Sequence, residues 1–147
     1  MRALRRVAVV VVTLGVASAL AACGDDGGGT AVDAGLDGDP DLVNDCTRTG
    51  AVDLTAANAD RTVAQVGISY MPACLRIEVG QAVTWTADFV AHPLSSGSPS
   101  GGAQAGSPIV ETITGSTVTF TFPAAGVFGF WCEEHGRAMM GAVYVEP

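Results

Sequence analysis

The sequence predicts an all-β domain, a β-sandwich of seven or eight short strands, and three observations carry that expectation. Apolar and polar residues alternate with period two at residues 63–70, 75–79, 82–86, 110–114, 117–122, 127–132 and 142–145. Turn residues punctuate these runs, at Gly80-Gln81, Gly115-Ser116 and Pro123-Ala124-Ala125-Gly126. No window sustains a helical period beyond an ambiguous stretch at 53–60. Strands of this length within residues 46–147 suit two packed sheets around one core. The Ser/Gly-rich stretch 95–108 reads as a long surface loop.

The residues ahead of that domain are of another kind. Met1 is followed by Arg2, Arg5 and Arg6 and then by a weakly polar or apolar run from Val7 to Ala22, the pattern of an export signal. The run approaches membrane-spanning length, but Leu20-Ala21-Ala22-Cys23 resembles the lipobox of bacterial lipoproteins, in which the signal is cut before the cysteine and the new terminus is lipidated. Residues 1–22 are therefore read as a lipoprotein signal peptide and Cys23 as the lipidation site. The alternative, a plain signal cut near Ala22, would leave a free thiol in an oxidising compartment. Residues 23–45 are read as the lipidated cysteine and a flexible acidic linker, since Gly, Ala and seven aspartates cannot bury enough apolar surface to offset chain entropy. The expected location is outside the cytoplasm: lipid-anchored to a bacterial membrane, with the domain in the periplasm or at the cell surface.

Charge narrows the partners. The whole chain carries −8, but without its first 22 residues four arginines face 15 acids, a net of −11. There is no lysine and no Gly-rich phosphate loop, so nucleic acid is not an expected partner. Two histidines do not assemble a Ser/His/Asp set. No catalytic residues are assigned, and a monomer is expected.

The four cysteines separate by role. With Cys23 lipidated, Cys46, Cys74 and Cys132 remain, an odd number. Cys132 lies in WCEEHGRAMMG beside a histidine and two methionines, so the expected disulfide joins Cys46 to Cys74 and ties the start of the domain to the strand beginning at Leu75. Along 127–132, period two puts Phe128, Phe130 and Cys132 on one face and Val127, Gly129 and Trp131 on the other. The thiol is thus carried inward. Three residues later the chain brings His135 back toward it, and methionines follow. A thiolate, an imidazole and a thioether form a soft set that selects copper, and two histidines, one cysteine and a weak axial methionine make the blue-copper arrangement. The second histidine has to be His92, in TADFVAHPLSSG, because the chain has no other.

His92, Cys132, His135 and a following methionine, with VTW before the first histidine and GVFGFWCEEHGRAMMGAVYVEP closing the chain, resemble the cupredoxins of the plastocyanin/azurin type over about residues 63–147. The resemblance implies a Greek-key sandwich with one copper ion near one end, cycling between Cu(I) and Cu(II) and passing single electrons between larger redox protein partners. Two methionines compete for the axial position. Cupredoxins commonly show Met-x-Gly-x-Val-x-Val, which selects Met139 and points Val143 and Val145 inward. Cupredoxin loops that place four residues between the histidine and the methionine select Met140 instead. Register is the harder constraint, so Met139 is favoured and Met140 is the alternative.

Pro93 stands where many cupredoxins have an asparagine whose backbone N–H donates to the ligand sulfur. A missing donor should favour Cu(II) and lower the potential. Trp85 is expected in the core with its indole N–H bonded to a backbone group. Trp131 is expected to pack on the sheet, with a surface role in electron transfer as the second reading, and Glu133-Glu134 to form a solvated turn. The expected function is a membrane-tethered one-electron carrier, with a periplasmic copper-handling module, a chaperone or store, as the alternative. A copper enzyme is not expected, because it would need further histidines.

Overall fold

The structure, a computed structural model, describes residues 41–147; the expected export signal, Cys23 and the expected linker as far as residue 40 lie outside the described residues. Nine strands form two sheets, and the described residues contain no helix. One sheet has five strands in the order β1 (Val52–Asp53), β4 (Cys74–Glu78), β9 (Gly136–Glu146), β8 (Gly126–Cys132) and β6 (Leu94–Ser96). The other has four, in the order β3 (Ser69–Met71), β2 (Thr62–Val66), β5 (Ala82–Thr86) and β7 (Thr117–Thr121). Both sheets mix parallel and antiparallel pairs: β4 runs parallel to β9 and β2 to β5, whereas β8–β9 and β5–β7 are antiparallel.

Alternation explains which face of each strand is dry. On β5, Val83 and Trp85 are buried while Thr84 faces out and its hydroxyl meets that of Thr119, its register partner on β7, at 2.8 Å. On β4, Leu75 and Ile77 are buried and Arg76 reaches Asp53 on the neighbouring strand at 2.7 Å. The inner faces meet in one cluster around Trp85, whose ring lies edge-on to Phe130 with centroids 5.3 Å apart. Each such buried aromatic ring contributes about 2 kcal/mol through burial alone.

Several sequence expectations change. The run 63–70 is not one strand: Gly67, at φ 61°, breaks it into the β2–β3 hairpin. Residues 110–114 are not a strand, because only Thr112 bridges Leu94 and Val110 and Ile113 point to solvent. The loop expected from Ser95 begins later. Leu94, Ser95 and Ser96 are all buried as β6, and two serines hide from a polarity pattern because their hydroxyls find partners at Glu133 and Gln104. Trp85 is in the core, but its indole N–H has no hydrogen-bond partner.

Residues 41–45, counted with the linker from their composition, pack on the outer face of the five-stranded sheet. The Cys46–Cys74 disulfide is formed across a sequence separation of 28. The Tyr144 hydroxyl lies 2.6 Å from the Asp41 carbonyl and 2.7 Å from that of Cys46. Arg48 stacks over the Tyr144 ring and pairs with Asp41 and Glu146, and these two carboxylates raise its pKa above its ordinary value. Hydrogen bonds to main-chain groups of the sheet and to Tyr144 offset the entropy of ordering this segment, although its composition resembles that of the linker.

Candidate metal centre

The centre forms where the loop before β6 meets the end of β8. Asp88 caps that loop, its carboxylate accepting from the Val90 and Ala91 N–H groups and its carbonyl from His92 N–H at 2.8 Å, which turns the chain tightly and presents the His92 ring. The Tyr70 hydroxyl donates to the His92 carbonyl at 3.3 Å. Burial first, and the nearby Cys132 second, push the Tyr70 phenol well above its ordinary pKa, so it remains a neutral donor. The residue after Cys132 is latched to the segment after His92: Glu133 N–H donates to the Pro93 carbonyl at 3.2 Å, and the Ser95 hydroxyl donates to the Glu133 carboxylate at 2.6 Å. Glu133 is therefore anchored, not merely solvated.

Phe128, Phe130 and Cys132 face the core together, as the alternation requires, and Cys132 is 0% exposed. The β8–β9 ladder keeps register as far as Trp131↔Met140 and then shifts, so that Cys132 pairs with Gly136. Gly136, at φ 52°, allows the tight return that places His135 over the sulfur. The Nδ1 atoms of His92 and His135 face each other at 3.2 Å, the rings stack with centroids 4.7 Å apart, and Cys132 Sγ lies 3.4 Å from His135 Nδ1. The donor atoms of His92, Cys132 and His135 all fall within 4.8 Å of one another. With the protons on Nε2, both Nδ1 lone pairs and the sulfur converge on one point, which suits a single soft cation and no hard one.

The two methionines separate by face. Met139 is 0% exposed and belongs to the same core cluster as Cys132, with Val143 and Val145. Met140 lies across the sheet, lining a shallow cavity with Leu42, Asn44 and Arg137. His92, at 9% exposure, and the more exposed His135 border an open depression with Val90, Ala91 and Glu134, so the buried thiol is reached through the two rings. The Trp131 indole donates to the Ser96 carbonyl at 3.2 Å and holds β6 to β8 from outside.

A β-sandwich that converges two imidazoles and one buried thiol at the end of a strand has the donor set of a copper-binding protein. The chain belongs to the plastocyanin/azurin family of copper binding proteins, which it matches over residues 57–146, and copper is its cofactor. Among solved structures it is similar to an amicyanin variant in the reduced state, with 26% identity over 62% of this chain and 86% of that one and a TM-score of 0.45. It is also similar to a purple cupredoxin from Nitrosopumilus maritimus, with 28% identity, coverage of 64% and 96%, and a TM-score of 0.43. A copper-containing nitrite reductase from Thermus scotoductus shares 23% identity over 58% of this chain and 22% of its own, with a TM-score of 0.45. No curated protein sequence matches.

Proposed function

We propose that the chain is a type 1 copper protein that carries single electrons between redox protein partners, with His92, Cys132, His135 and Met139 as ligands. The observation that carries this reading is the convergence of two Nδ1 atoms and one fully buried sulfur within 4.8 Å. Copper held there would supply a one-electron couple between Cu(I) and Cu(II). The residues of the chain supply the rest. Asp88 and the β8–β9 ladder hold the donors in place, so a change of oxidation state finds the same scaffold and reorganises little. The Phe128 and Phe130 side chains keep water from the thiolate, and His135 stands between the sulfur and the surface as the exit for the electron. Met139 suits the axial position because it shares the face of Cys132; Met140 faces away.

The chain is proposed to act as a monomer and not as an enzyme, since this centre uses both histidines and leaves none for a second one. Its N-terminal sequence supports export and anchoring through Cys23, with residues 24–40 spacing the domain from the membrane. The test is the visible spectrum of the full chain loaded with one equivalent of Cu(II), followed through a redox titration. An intense, reversibly bleached band that disappears in Cys132→Ser is the expected result. Tight Cu(I) binding without such a band would replace electron transfer by the copper-handling reading.

A further inference from the structure

One side chain outside the centre touches three of the segments that build it. Val43 and Cys46 exchange backbone hydrogen bonds of 3.1 and 2.9 Å around Asn44 and Asp45, whose φ angles are 50° and 61°. Positive φ at both central positions of a two-residue loop is the type I′ pattern, which Asn and Asp tolerate better than other side chains. The turn lays the Asn44 amide on the outer face of the five-stranded sheet. There Nδ2 lies 2.8 Å from the Gly97 carbonyl, 3.1 Å from that of Phe130 and 2.9 Å from that of Gly141. Three oxygens around one terminal atom require it to be the NH₂ group, and its two hydrogens serve three acceptors by sharing. The sheet leaves room for it, since a Cβ at Gly129 would come within 3.0 Å of Nδ2.

The place of this contact gives it meaning. Phe130 and Gly141 are register partners on β8 and β9, one pair before Trp131↔Met140, after which the ladder shifts. Phe130 precedes Cys132 by two residues and Gly141 follows Met139 by two. Gly97 directly follows β6, the strand that leads away from His92. A weak axial ligand sits where its scaffold puts it, because the bond itself is too weak to pull the scaffold in. The pair Phe130↔Gly141, two residues from Cys132 on one strand and two from Met139 on the other, is therefore placed to govern how Met139 stands relative to the sulfur.

We propose that Asn44 is a positioning residue of the copper centre, clamping β8, β9 and the end of β6 through Phe130, Gly141 and Gly97. It touches no ligand and acts through those three carbonyls. The inference rests on Cys132 and Met139 as ligands.

The experiment compares Asn44→Gly, which removes the amide and keeps the left-handed turn free of strain, with Asp45→Gly, which alters the same turn and keeps the amide. Both are made in the full chain. Amide hydrogen exchange at residues 130–141 is read without metal, and the relative intensity of the two thiolate-to-copper bands with Cu(II). Asn44→Gly should speed exchange about tenfold, the loss of roughly one hydrogen bond, and change the band ratio, while Asp45→Gly changes neither. Unchanged exchange and bands in Asn44→Gly, or equal changes in both variants, would overturn the proposal. If the unaltered chain shows no thiolate band, the ligand assignment fails, and the metal-free exchange alone decides whether Asn44 clamps the strands.

Discussion

Removing the Cys46–Cys74 bridge tests whether residues ahead of β1 are part of the folded unit. The bridge spans a sequence separation of 28, which in the chain-entropy model removes about 12 cal/mol/K from the unfolded chain, or about 3.6 kcal/mol at 25 °C. A domain of about a hundred residues unfolds with an entropy near 210 cal/mol/K, so the double variant Cys46→Ala/Cys74→Ala should melt about 17 °C lower. The native contacts around Tyr144 and Arg48 do not pass through the sulfurs, so the loss should arise in the unfolded state. Urea unfolding of the metal-free protein would then show a steeper dependence on denaturant, as the released chain exposes more surface. A loss below about 1 kcal/mol, with an unchanged slope, would refute the reasoning, because the segment would then be held equally well in both states.

Other outcomes follow from single sites. Met139→Leu should raise the reduction potential and Met140→Leu should leave it nearly unchanged; equal small effects would remove both from the coordination sphere. Gly141→Ala should cost about 2 to 3 kcal/mol by overpacking, since a Cβ there overlaps the Ala73 carbonyl and the Phe130 ring, and a neutral effect in thermal unfolding would contradict the close approach of those strands. The Asp53 carboxyl is held down to about 2 by the Thr55 N–H and hydroxyl and then by Arg76. Its folded pKa lies below its unfolded one, so its stabilisation is present above about pH 4 and is lost as the pH falls through about 2. Unfolding of Asp53→Asn should therefore depend less steeply on pH between 4 and 2, and an unaltered dependence would show that the carboxylate contributes nothing.

What the sequence revealed depended on how strongly burial stamps its pattern. Strands β5 and β8 were legible because one face must be apolar throughout, and the same alternation that buries Phe128 and Phe130 pointed to Cys132. Met139 separated from Met140 for the same reason. Strand β6 left no such stamp: three residues are too few to alternate, and its serines are buried through specific bonds. Residues 110–114 alternated without burying anything, since one bridge to Leu94 is all that holds them. Asn44 could not be found from composition, because its role depends on carbonyls 53 to 97 residues away. The Ser95–Glu133 latch was equally hidden, although an acid directly after Cys132 was a signal that could have suggested it.

The two tryptophans form a pair of unlike optical probes. Trp85 has its indole N–H sealed in hydrocarbon without a partner, so no solvent dipole can relax around its excited state and its emission belongs at the blue extreme. Trp131, hydrogen-bonded to Ser96 and half-buried beside Cys132, should emit further to the red. One chain thus reports separately, in two colours, on the integrity of its interior and on the strand that carries its thiol.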